Sequence, residues 1–252
     1  MSGVASRRSS QLVLRVELSS VMSEPIAMCF SGGKDGALAL QDIRRRGVYH
    51  VAELLTTVTD AYDRVSMHGV RRTLLREQAA AIGIPLSEVV VPPESSNDVY
   101  EHEMGKAFAR VRADGIRRVA FGDIFLEDLR TYRERQLASW DLECLFPLWK
   151  QDTATLARSF ICDGFEAITV CVNPAALGAS FAGRAFDDAF LTDLPPDVDP
   201  CGENGEFHTF VFDGPIFSRP IAASRGTVVE RAGFVFCDVL HQRGGTNGLH
   251  RG

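Results

Sequence analysis

The chain has 252 residues, of which 45% are hydrophobic and 24% are charged, and its formal net charge at pH 7 is -6. These values are ordinary for a globular protein and allow either one large domain or one domain with a small appendage. The acidic balance argues against broad nucleic-acid binding, because such binding depends on neutralising phosphates. The six cysteines include no C-x-x-C pair, so neither a zinc knuckle nor a dithiol redox site is indicated.

The N-terminal segment is not expected to act as a membrane or export signal. No apolar run reaches the roughly 18 residues of a membrane span, and "QLVLRVEL" is interrupted by Arg15 and Glu17. We therefore expect a cytoplasmic protein that does not bind membranes. Residues 1–24 are predicted to be a disordered leader, with Met22 as an alternative start.

Strand-like and helix-like segments alternate from residue 26 to residue 149. Strands are predicted at 26–30, 50–58, 86–92, 117–124 and 144–149, and helices at 69–83, at 98–115 and after residue 124. This alternation predicts right-handed crossovers and a Rossmann-like, mainly parallel sheet with helices on both faces. Ligands of such folds bind at the carboxyl ends of the strands.

The character of the sequence changes near residue 150. One more helix is predicted at 152–165 and one more strand at 166–172, followed by strands within 207–217 and 226–239. We divide the chain into a nucleotide-binding domain, residues 25–150, and a smaller C-terminal α+β lobe, residues 151–252, which would bind substrate.

The stretch "CFSGGKDGALAL", residues 29–40, places two glycines between an apolar strand and a helix. Backbone N–H groups and the helix dipole at such a junction can hold an anion. The Walker pattern G-x-x-x-x-G-K-[ST] does not match, because Met28 and Asp35 stand where its first glycine and its hydroxyl belong. An ordinary strand-to-helix turn is the alternative interpretation.

A second candidate segment follows the strand at 117–124. It contains four charged residues at spacings of four, three and four, namely Asp123, Glu127, Arg130 and Glu134. This spacing predicts a single helix face. Gly122 would let the backbone approach a nucleotide, and Arg130 or Arg133 would hold a phosphate or a substrate carboxylate bidentately. A solvated helix face with ion pairs is the alternative.

The third candidate segment is "CGENGEFH", residues 201–208. It is poor as a metal site, because Cys201 and His208 lack a second matched pair. Glu203 and Glu206 are predicted to orient an amine, ammonia or a carboxyl substrate, with Asn204 and His208 also at the substrate, whereas the alternative is a plain turn. His68 would contact substrate from the loop after the second strand, or would serve as a capping or partly buried histidine.

Three motifs carry a family resemblance. "SGGKDG" is similar to the S-G-G-x-D-[ST] loop of the PP-loop ATP pyrophosphatases. "FGDIFLEDLRTYRERQL" with "LFPLW", and then "DPCGENGEFHTFVFDGPIF", resemble the central and C-terminal signatures of the diphthine ammonia ligase-like group of that superfamily, the adenine nucleotide alpha hydrolases. The resemblance implies a PP-loop nucleotide-binding domain, a substrate lobe, and cleavage of ATP to AMP and pyrophosphate.

The resemblance also implies a site for ATP and Mg²⁺. Its phosphates would lie on Ser31, Gly32, Gly33, Lys34, Asp35 and Gly36, and its adenine against Thr56, Thr57 and Val58. Lys34 would neutralise phosphate charge, and Asp35 would hold the metal. The expected catalytic residues are Lys34, Asp35, Asp123, Glu203 and Glu206. Gly36 departs from the motif, which has Ser or Thr there, so weaker ATP binding is expected.

The leading functional hypothesis is an AMP-forming amide ligase. A carboxylate, on a small molecule or a protein, would form an acyl adenylate, and ammonia or an amine would displace AMP. The family name implies diphthine, but 24 arginines against three lysines hint at a GC-rich bacterial genome, in which case the carboxylate would differ. A nucleotide-binding sensor without turnover is the alternative, and RNA thiolation is disfavoured by the missing C-x-x-C. A homodimeric state stays open.

Overall fold

The computed structural model describes residues 23–59, 63–65, 68–93 and 96–242. The predicted leader and the alternative start at Met22 therefore lie almost wholly outside the described residues. No helix among those residues has both the length and the apolar character needed to cross a membrane.

The first half of the chain forms a six-stranded sheet. Its strands are β1 (Glu24–Cys29), β2 (Tyr49–Thr59), β3 (Arg64–Val65), β4 (Leu86–Val91), β5 (Arg118–Ala120) and β6 (Glu143–Leu145). The parallel strands follow the order β4-β2-β1-β5-β6, and short β3 pairs antiparallel with the end of β2. Numbered along the chain, the parallel strands read 3-2-1-4-5, which is the Rossmann order. The predicted fold class is confirmed.

Helices cover both faces of this sheet. They are α1 (Lys34–Arg46), α2 (Arg72–Ile82), α3 (Asn97–Ala113) and α4 (Glu127–Ala138). Leu40 of α1 and Leu75 of α2 belong to one buried cluster, whereas Phe108 of α3 and Leu137 of α4 belong to another. This division follows from right-handed crossovers on either side of the central strand β1.

The second half of the chain forms a four-stranded antiparallel sheet with two helices. Its elements are α5 (Thr153–Cys162), β7 (Glu166–Val172), α6 (Asp188–Asp193), β8 (Phe207–Asp213), β9 (Ala223–Arg231) and β10 (Phe234–His241). The strand order is β8-β7-β10-β9. The segment 226–239, which alternation alone predicts as strand, is a hairpin because Ala232 and Gly233 both take positive φ, at 51° and 80°.

The second sheet packs directly against the turn between β1 and α1. The N–H of Val211 in β8 donates to the Gly32 carbonyl at 3.0 Å. Gln78 of α2 is fully buried, and its amide donates to the carbonyls of Gly32 and Val211 at 2.9 and 2.7 Å. The turn is therefore braced from two elements that are distant in sequence.

A salt-bridge cluster joins the second sheet to the segment after β3. Asp238 of β10 accepts hydrogen bonds from Arg64 at 2.9 Å and from Arg71 at 2.5 Å. These two arginines flank His68, and a side chain at Gly69 would meet the Phe236 ring at 2.9 Å. The segment carrying His68 is thus held by β10.

Candidate nucleotide site

The main cavity lies where the order of the parallel strands reverses. It has a volume of about 480 Å³ and is bounded by the turn after β1, the ends of β2 and β5, and residues 202–209 of the second half. Pockets of roughly 300–1,000 Å³ at such switch points commonly bind small ligands. The structure therefore brings the segments "SGGKDG" and "CGENGEFH" together on one cavity, as the sequence predicts.

The turn before α1 lines this cavity with Ser31 and Gly33. No described residue accepts a hydrogen bond from the N–H groups of Ser31, Gly32 and Gly33. Gly33 is the N-cap of α1 and provides no side-chain cap, while the Lys34 N–H donates to Thr209 Oγ1 at 3.1 Å. Unsatisfied N–H groups at a helix N-terminus, together with the helix dipole, favour an anion there.

The Lys34 ammonium is already bound by protein acceptors. It donates to both Asp35 oxygens at 2.9 Å and to the Cys201 carbonyl, and its side chain is 2% exposed. The Phe186 and Phe207 rings lie 5.8 and 5.3 Å from the ammonium nitrogen. Burial is the largest effect and acts to lower the pKa of Lys34, but Asp35, Cys201 and Glu203 together raise it overall. Lys34 lines the cavity but is paired with protein acceptors in this arrangement, so its expected contact with phosphates stays a prediction.

The other basic side chain of the cavity is also paired. Arg133 forms a salt bridge with Asp123 and lies 4.4 Å above the Phe121 ring. Burial opposes the charge of Arg133, but the Asp123 carboxylate raises its pKa overall. The described cavity lining contains one lysine, Lys34, and one arginine, Arg133. Because each is paired with a carboxylate, neither contributes an uncompensated positive charge.

Part of the predicted α4 face points away from the cavity. Glu127 forms an ion pair with Lys150 at 2.8 Å, and Arg130 pairs with Glu134 at 2.7 Å. The Arg130 guanidinium stacks 4.7 Å from Trp149. Glu127 and Arg130 do not line the cavity, because their shared face is turned toward the 146–150 segment, so their contact with substrate stays a prediction.

Asp123 does not belong to that helix face. The helix begins at Glu127, and residues 121–126 form a loop between it and β5. Glu203 Oε1 accepts hydrogen bonds from the N–H groups of Ile124 at 2.7 Å and Phe125 at 3.4 Å. This contact holds the loop non-helical, so Asp123 reaches the cavity from the loop and pairs with Arg133.

Glu203 is the titratable group best placed for proton transfer. It lines the cavity, and burial raises its pKa to about 7, with further upward effects of Asp35 and Asp123. The hydrogen bond from Ile124 acts in the opposite direction. A carboxyl group with this pKa can accept or give up a proton near neutral pH.

Glu206 and Asn204 do not line the cavity. Glu206 is 5% exposed, and its Oε1 accepts hydrogen bonds from the Asp199 N–H at 3.1 Å and from Asn204 Nδ2 at 3.0 Å. Both side chains close the 199–206 turn in this arrangement, so a role of Glu206 in catalysis and of Asn204 in substrate binding gains no support from the cavity and stays a prediction.

His68 and His208 form a tilted ring pair on the cavity wall. Their ring centroids are 4.5 Å apart, and a side chain on Gly33 would lie 3.2 Å from His68 Cε1. Burial lowers the pKa of His68, and the neighbouring His208 lowers it further. Burial also lowers the pKa of His208, to about 4, with a further lowering effect of the Lys34 charge. Both rings are therefore neutral at pH 7 and adjoin the turn after β1.

The remaining predicted contacts divide between cavity and core. Thr56 and Thr57 line the cavity, whereas Val58 is fully buried where β3 pairs with β2, so its predicted contact with adenine is wrong. Gly122 lines the cavity, but a side chain there would meet the backbone of Asp35 and Gly36 at 3.0 Å. Gly122 thus lets the β5 loop approach α1, a reason that sequence alone does not reveal.

A preformed metal cluster is not seen in the described part of the chain. No group of three or more His, Cys, Asp or Glu side chains is arranged there to hold a metal ion. Asp35, with a side chain 29% exposed, is the carboxylate of the turn. Mg²⁺ usually keeps several waters and binds one or two carboxylates together with substrate phosphates, so Asp35 fits a metal that is shared with a nucleotide.

Sequence reasoning missed several residues that shape the site. Thr209 satisfies the Lys34 N–H, Gln78 braces Gly32, and Cys201 accepts from Lys34 through its carbonyl. Asp199 fixes the loop by accepting from the N–H groups of Cys201 and Glu203 at 2.8 and 3.2 Å. No local pattern marks Gln78 or Thr209, because their partners lie in other elements.

The fold and the cavity together define a class of protein. A donor-rich turn at the switch point of a 3-2-1-4-5 sheet is typical of a Rossmann-like nucleotide-binding protein. Family models named diphthamide synthase N-terminal domain and diphthamide synthase C-terminal domain match residues 24–138 and 152–239. The chain belongs to the diphthamide synthase family, and the resemblance predicted from the three motifs is confirmed.

Curated relatives agree with this assignment. A Danio rerio protein named diphthine–ammonia ligase is 30% identical to this chain, and the match covers 83% of this chain and 90% of that protein. A Rattus norvegicus protein of the same name is 25% identical, and the match covers 89% of this chain and 91% of that protein. The Schizosaccharomyces pombe relative of that name is 25% identical over 82% of this chain, but the chain spans only 37% of its length. The prediction of an enzyme of the ligase class is confirmed.

A solved structure with a similar arrangement of elements is a predicted subunit of tRNA methyltransferase from Methanocaldococcus jannaschii. It covers 76% of this chain and 100% of its own, with a TM-score of 0.41 and 17% identity.

Proposed function

We propose that this protein is an ATP-dependent, AMP-forming amide ligase that activates a carboxylate for attack by ammonia or an amine. The observation that carries the proposal is the row of N–H groups at Ser31, Gly32 and Gly33, which lack acceptors among the described residues; Ser31 and Gly33 line the same cavity as Glu203. This arrangement pairs an anion site with a proton-transfer group.

The phosphates of ATP would lie on the turn after β1. The free N–H groups and the positive end of the α1 dipole supply the attraction there, since the two basic side chains of the lining are already paired. Leu55, Thr56 and Thr57 at the end of β2 would contact adenine. Asp35 would hold Mg²⁺, which when bound offsets charge on the phosphates.

The chemistry proceeds in two displacements. A carboxylate oxygen of the substrate attacks the α-phosphorus, the bond from that phosphorus to pyrophosphate breaks, and the acyl group is left on AMP. Backbone N–H groups stabilise the charge that develops on pyrophosphate. The nitrogen of ammonia then attacks the acyl carbon, the carbon–oxygen bond to AMP breaks, and the Glu203 carboxylate takes the proton lost by nitrogen.

The names of the relatives suggest the substrates. We infer that the carboxylate is that of diphthine, the amine is ammonia, and the product is diphthamide. In this proposal residues 25–150 bind the nucleotide and residues 151–252 form the substrate lobe, with His68 and His208 where the two meet. A cytoplasmic location and a homodimer stay predictions.

A single-turnover assay tests the proposal. Excess protein is mixed with ATP labelled at the α-phosphate, Mg²⁺, ammonium chloride and a protein that bears diphthine. AMP and pyrophosphate are expected in amounts equal to the amide formed, and omission of the diphthine protein is expected to abolish AMP. Formation of ADP and phosphate, or of AMP without the carboxylate substrate, would contradict the proposal.

A second candidate function is nucleotide binding without turnover. Gly36 in place of a hydroxyl residue and the pairing of both Lys34 and Arg133 favour it, because less free charge is available for pyrophosphate. Tight ATP binding in calorimetry with no AMP in the single-turnover assay would support this sensor.

A further inference from the structure

The Lys34 side chain lies at the junction between the two halves of the molecule. Its ammonium has three N–H donors, and its described acceptors are the Asp35 carboxylate in α1 and the Cys201 carbonyl, 167 residues further along the chain. Phe186 and Phe207, both of the second half, flank the same nitrogen. A buried cation with these partners needs no phosphate to satisfy it.

The carbonyl that Lys34 binds belongs to the loop that carries Glu203. Asp199 Oδ1 accepts from the N–H groups of both Cys201 and Glu203, so these two residues share one anchor. The Cys201 carbonyl is the point at which this loop meets α1. A displacement of Cys201 is therefore transmitted to Glu203 through backbone and hydrogen bonds.

Glu203 in turn contacts the first half of the chain. Its Oε1 binds the N–H of Ile124 at 2.7 Å, at the loop that follows β5. The 199–206 loop is thus fastened to the nucleotide-binding half by two contacts, that of the Cys201 carbonyl with Lys34 and that of Glu203 with Ile124. Of these two contacts, the one made by Lys34 is buried.

We propose that Lys34 is a positioning residue that fastens the 199–206 loop to the first turn of α1 and so places Glu203 against Ile124, rather than a ligand of the phosphates. The inference rests on the proposed function only for the part that Glu203 plays in the reaction. A buried ammonium with paired acceptors is costly to disrupt, which suits a fixed position. The turn N–H groups remain for the anion.

The test compares Lys34→Met, which keeps the length of the side chain and removes its charge, with Lys106→Met. Lys106 is 60% exposed in an i,i+3 pair with Glu103 on α3, so it serves as the matched control. Hydrogen–deuterium exchange is followed for residues 199–206 and for β1. Calorimetry measures the dissociation constants of ATP and of adenosine for each protein.

In Lys34→Met, amides of 199–206 should exchange at least about tenfold faster while β1 is unchanged, because one contact of the loop is lost. The dissociation constants of ATP and adenosine should change by the same factor, within about threefold. The Glu203 carboxyl, followed by carbon NMR, should titrate differently from the wild type. Lys106→Met should match the wild type throughout.

The proposal would be overturned if Lys34→Met bound ATP more than tenfold more weakly while adenosine binding and the exchange of 199–206 stayed unchanged. That result would show that Lys34 is a ligand of the phosphates. If Lys34→Met does not fold, the double variant Lys34→Met with Asp35→Asn is compared with Asp35→Asn alone in the same measurements, because Asp35 is itself expected to hold Mg²⁺. None of these readouts requires turnover, so they separate failure of this inference from failure of the proposed reaction.

Discussion

Glu203 Oε1 lies 2.7 Å from the backbone nitrogen of Ile124, although 79 residues separate the two along the chain. The contact brings a carboxyl group of the second half to the carboxyl end of β5, beside the turn whose N–H groups have no acceptor among the described residues. Neither half of the molecule contains both features. The candidate site is therefore complete only when the two sheets are packed together.

Replacing Glu203 by Gln should slow amide formation at pH 7 by about 10²–10⁴-fold, the range ascribed to a general base. The amide oxygen can still accept from Ile124, so the loop should keep its place, and ATP affinity should stay within about threefold of the wild type. Single-turnover kinetics and calorimetry check both values. An unchanged rate would remove Glu203 from the reaction.

The raised pKa of Glu203 should also appear in the pH dependence of stability. A carboxyl group with a pKa of about 7 in the folded state and an ordinary pKa of 4.5 binds protons more tightly when folded, so its contribution to stability falls as pH rises from about 4.5 to about 7. From pH 5 to pH 8 the free energy of unfolding of the wild type should fall by about 1–3 kcal/mol relative to Glu203→Gln.

Urea unfolding of both proteins at the two pH values measures this difference, and other titrating groups cancel in the comparison. A constant difference between wild type and variant across that range would show that Glu203 has an ordinary pKa in the folded state.

Gly122→Ala should damage both stability and nucleotide binding. The added carbon would lie 3.0 Å from the Asp35 carbonyl carbon and the Gly36 nitrogen, so α1 must shift. Overpacking of this kind costs about 1–3 kcal/mol, and the shift displaces the turn donors. Gly178→Ala is the control, because its nearest neighbour would be Ser180 Oγ at 3.7 Å. Equal stability and equal ATP affinity for the two variants would refute the close-approach argument.

Restoring the hydroxyl of the motif by Gly36→Ser should change the affinity for ATP only slightly. One hydrogen bond to phosphate contributes at most about 1.5 kcal/mol net, and a side chain at residue 36 would press on the Phe30 ring at 3.0 Å. We expect a gain in ATP affinity only when Phe30→Leu relieves that contact. Calorimetry on the single and double variants decides this, and a tenfold gain from Gly36→Ser alone would show that the Phe30 ring moves freely.

The histidine pair should stay neutral well below pH 6.5. Burial, joined by the Lys34 charge, lowers the pKa of His208 to about 4, and that of His68 is lowered as well. Because the unfolded chain binds these protons more readily, their contribution to stability is lost as pH falls from about 6.5 to about 4. Nitrogen NMR of the ring signals should show no titration of either residue between pH 5.5 and 8. A midpoint near 6.5 for both would contradict their burial.

Much of the fold could be predicted from the sequence, because hydrophobic periodicity and glycine stops are local signals. The strand at 166–172 and the helix stop at Gly83 are examples. The motif "SGGKDG" likewise located the turn whose N–H groups lack acceptors. Spacing alone misplaced Asp123 on a helix, since it takes no account of Glu203, which holds residues 124 and 125 in a loop.

The parts that could not be predicted depend on contacts between distant elements. Glu206 has the residue type of a catalytic acid, yet its side chain turns back on Asp199 and Asn204. Lys34 has the residue type of a phosphate ligand, yet its ammonium binds a carbonyl of the second half. Packing between distant elements determines which partners these side chains bind, and the spacing of residues in the sequence does not predict it.

A crystal structure with a non-cleavable ATP analogue, methylene-bridged between the α- and β-phosphates, and with Mg²⁺ tests the central claim most directly. We expect phosphate oxygens within about 3.2 Å of the N–H groups of Gly32 and Gly33, with Lys34 still bound to Cys201. Phosphates bound elsewhere in the cavity, with those N–H groups facing only water, would contradict the account.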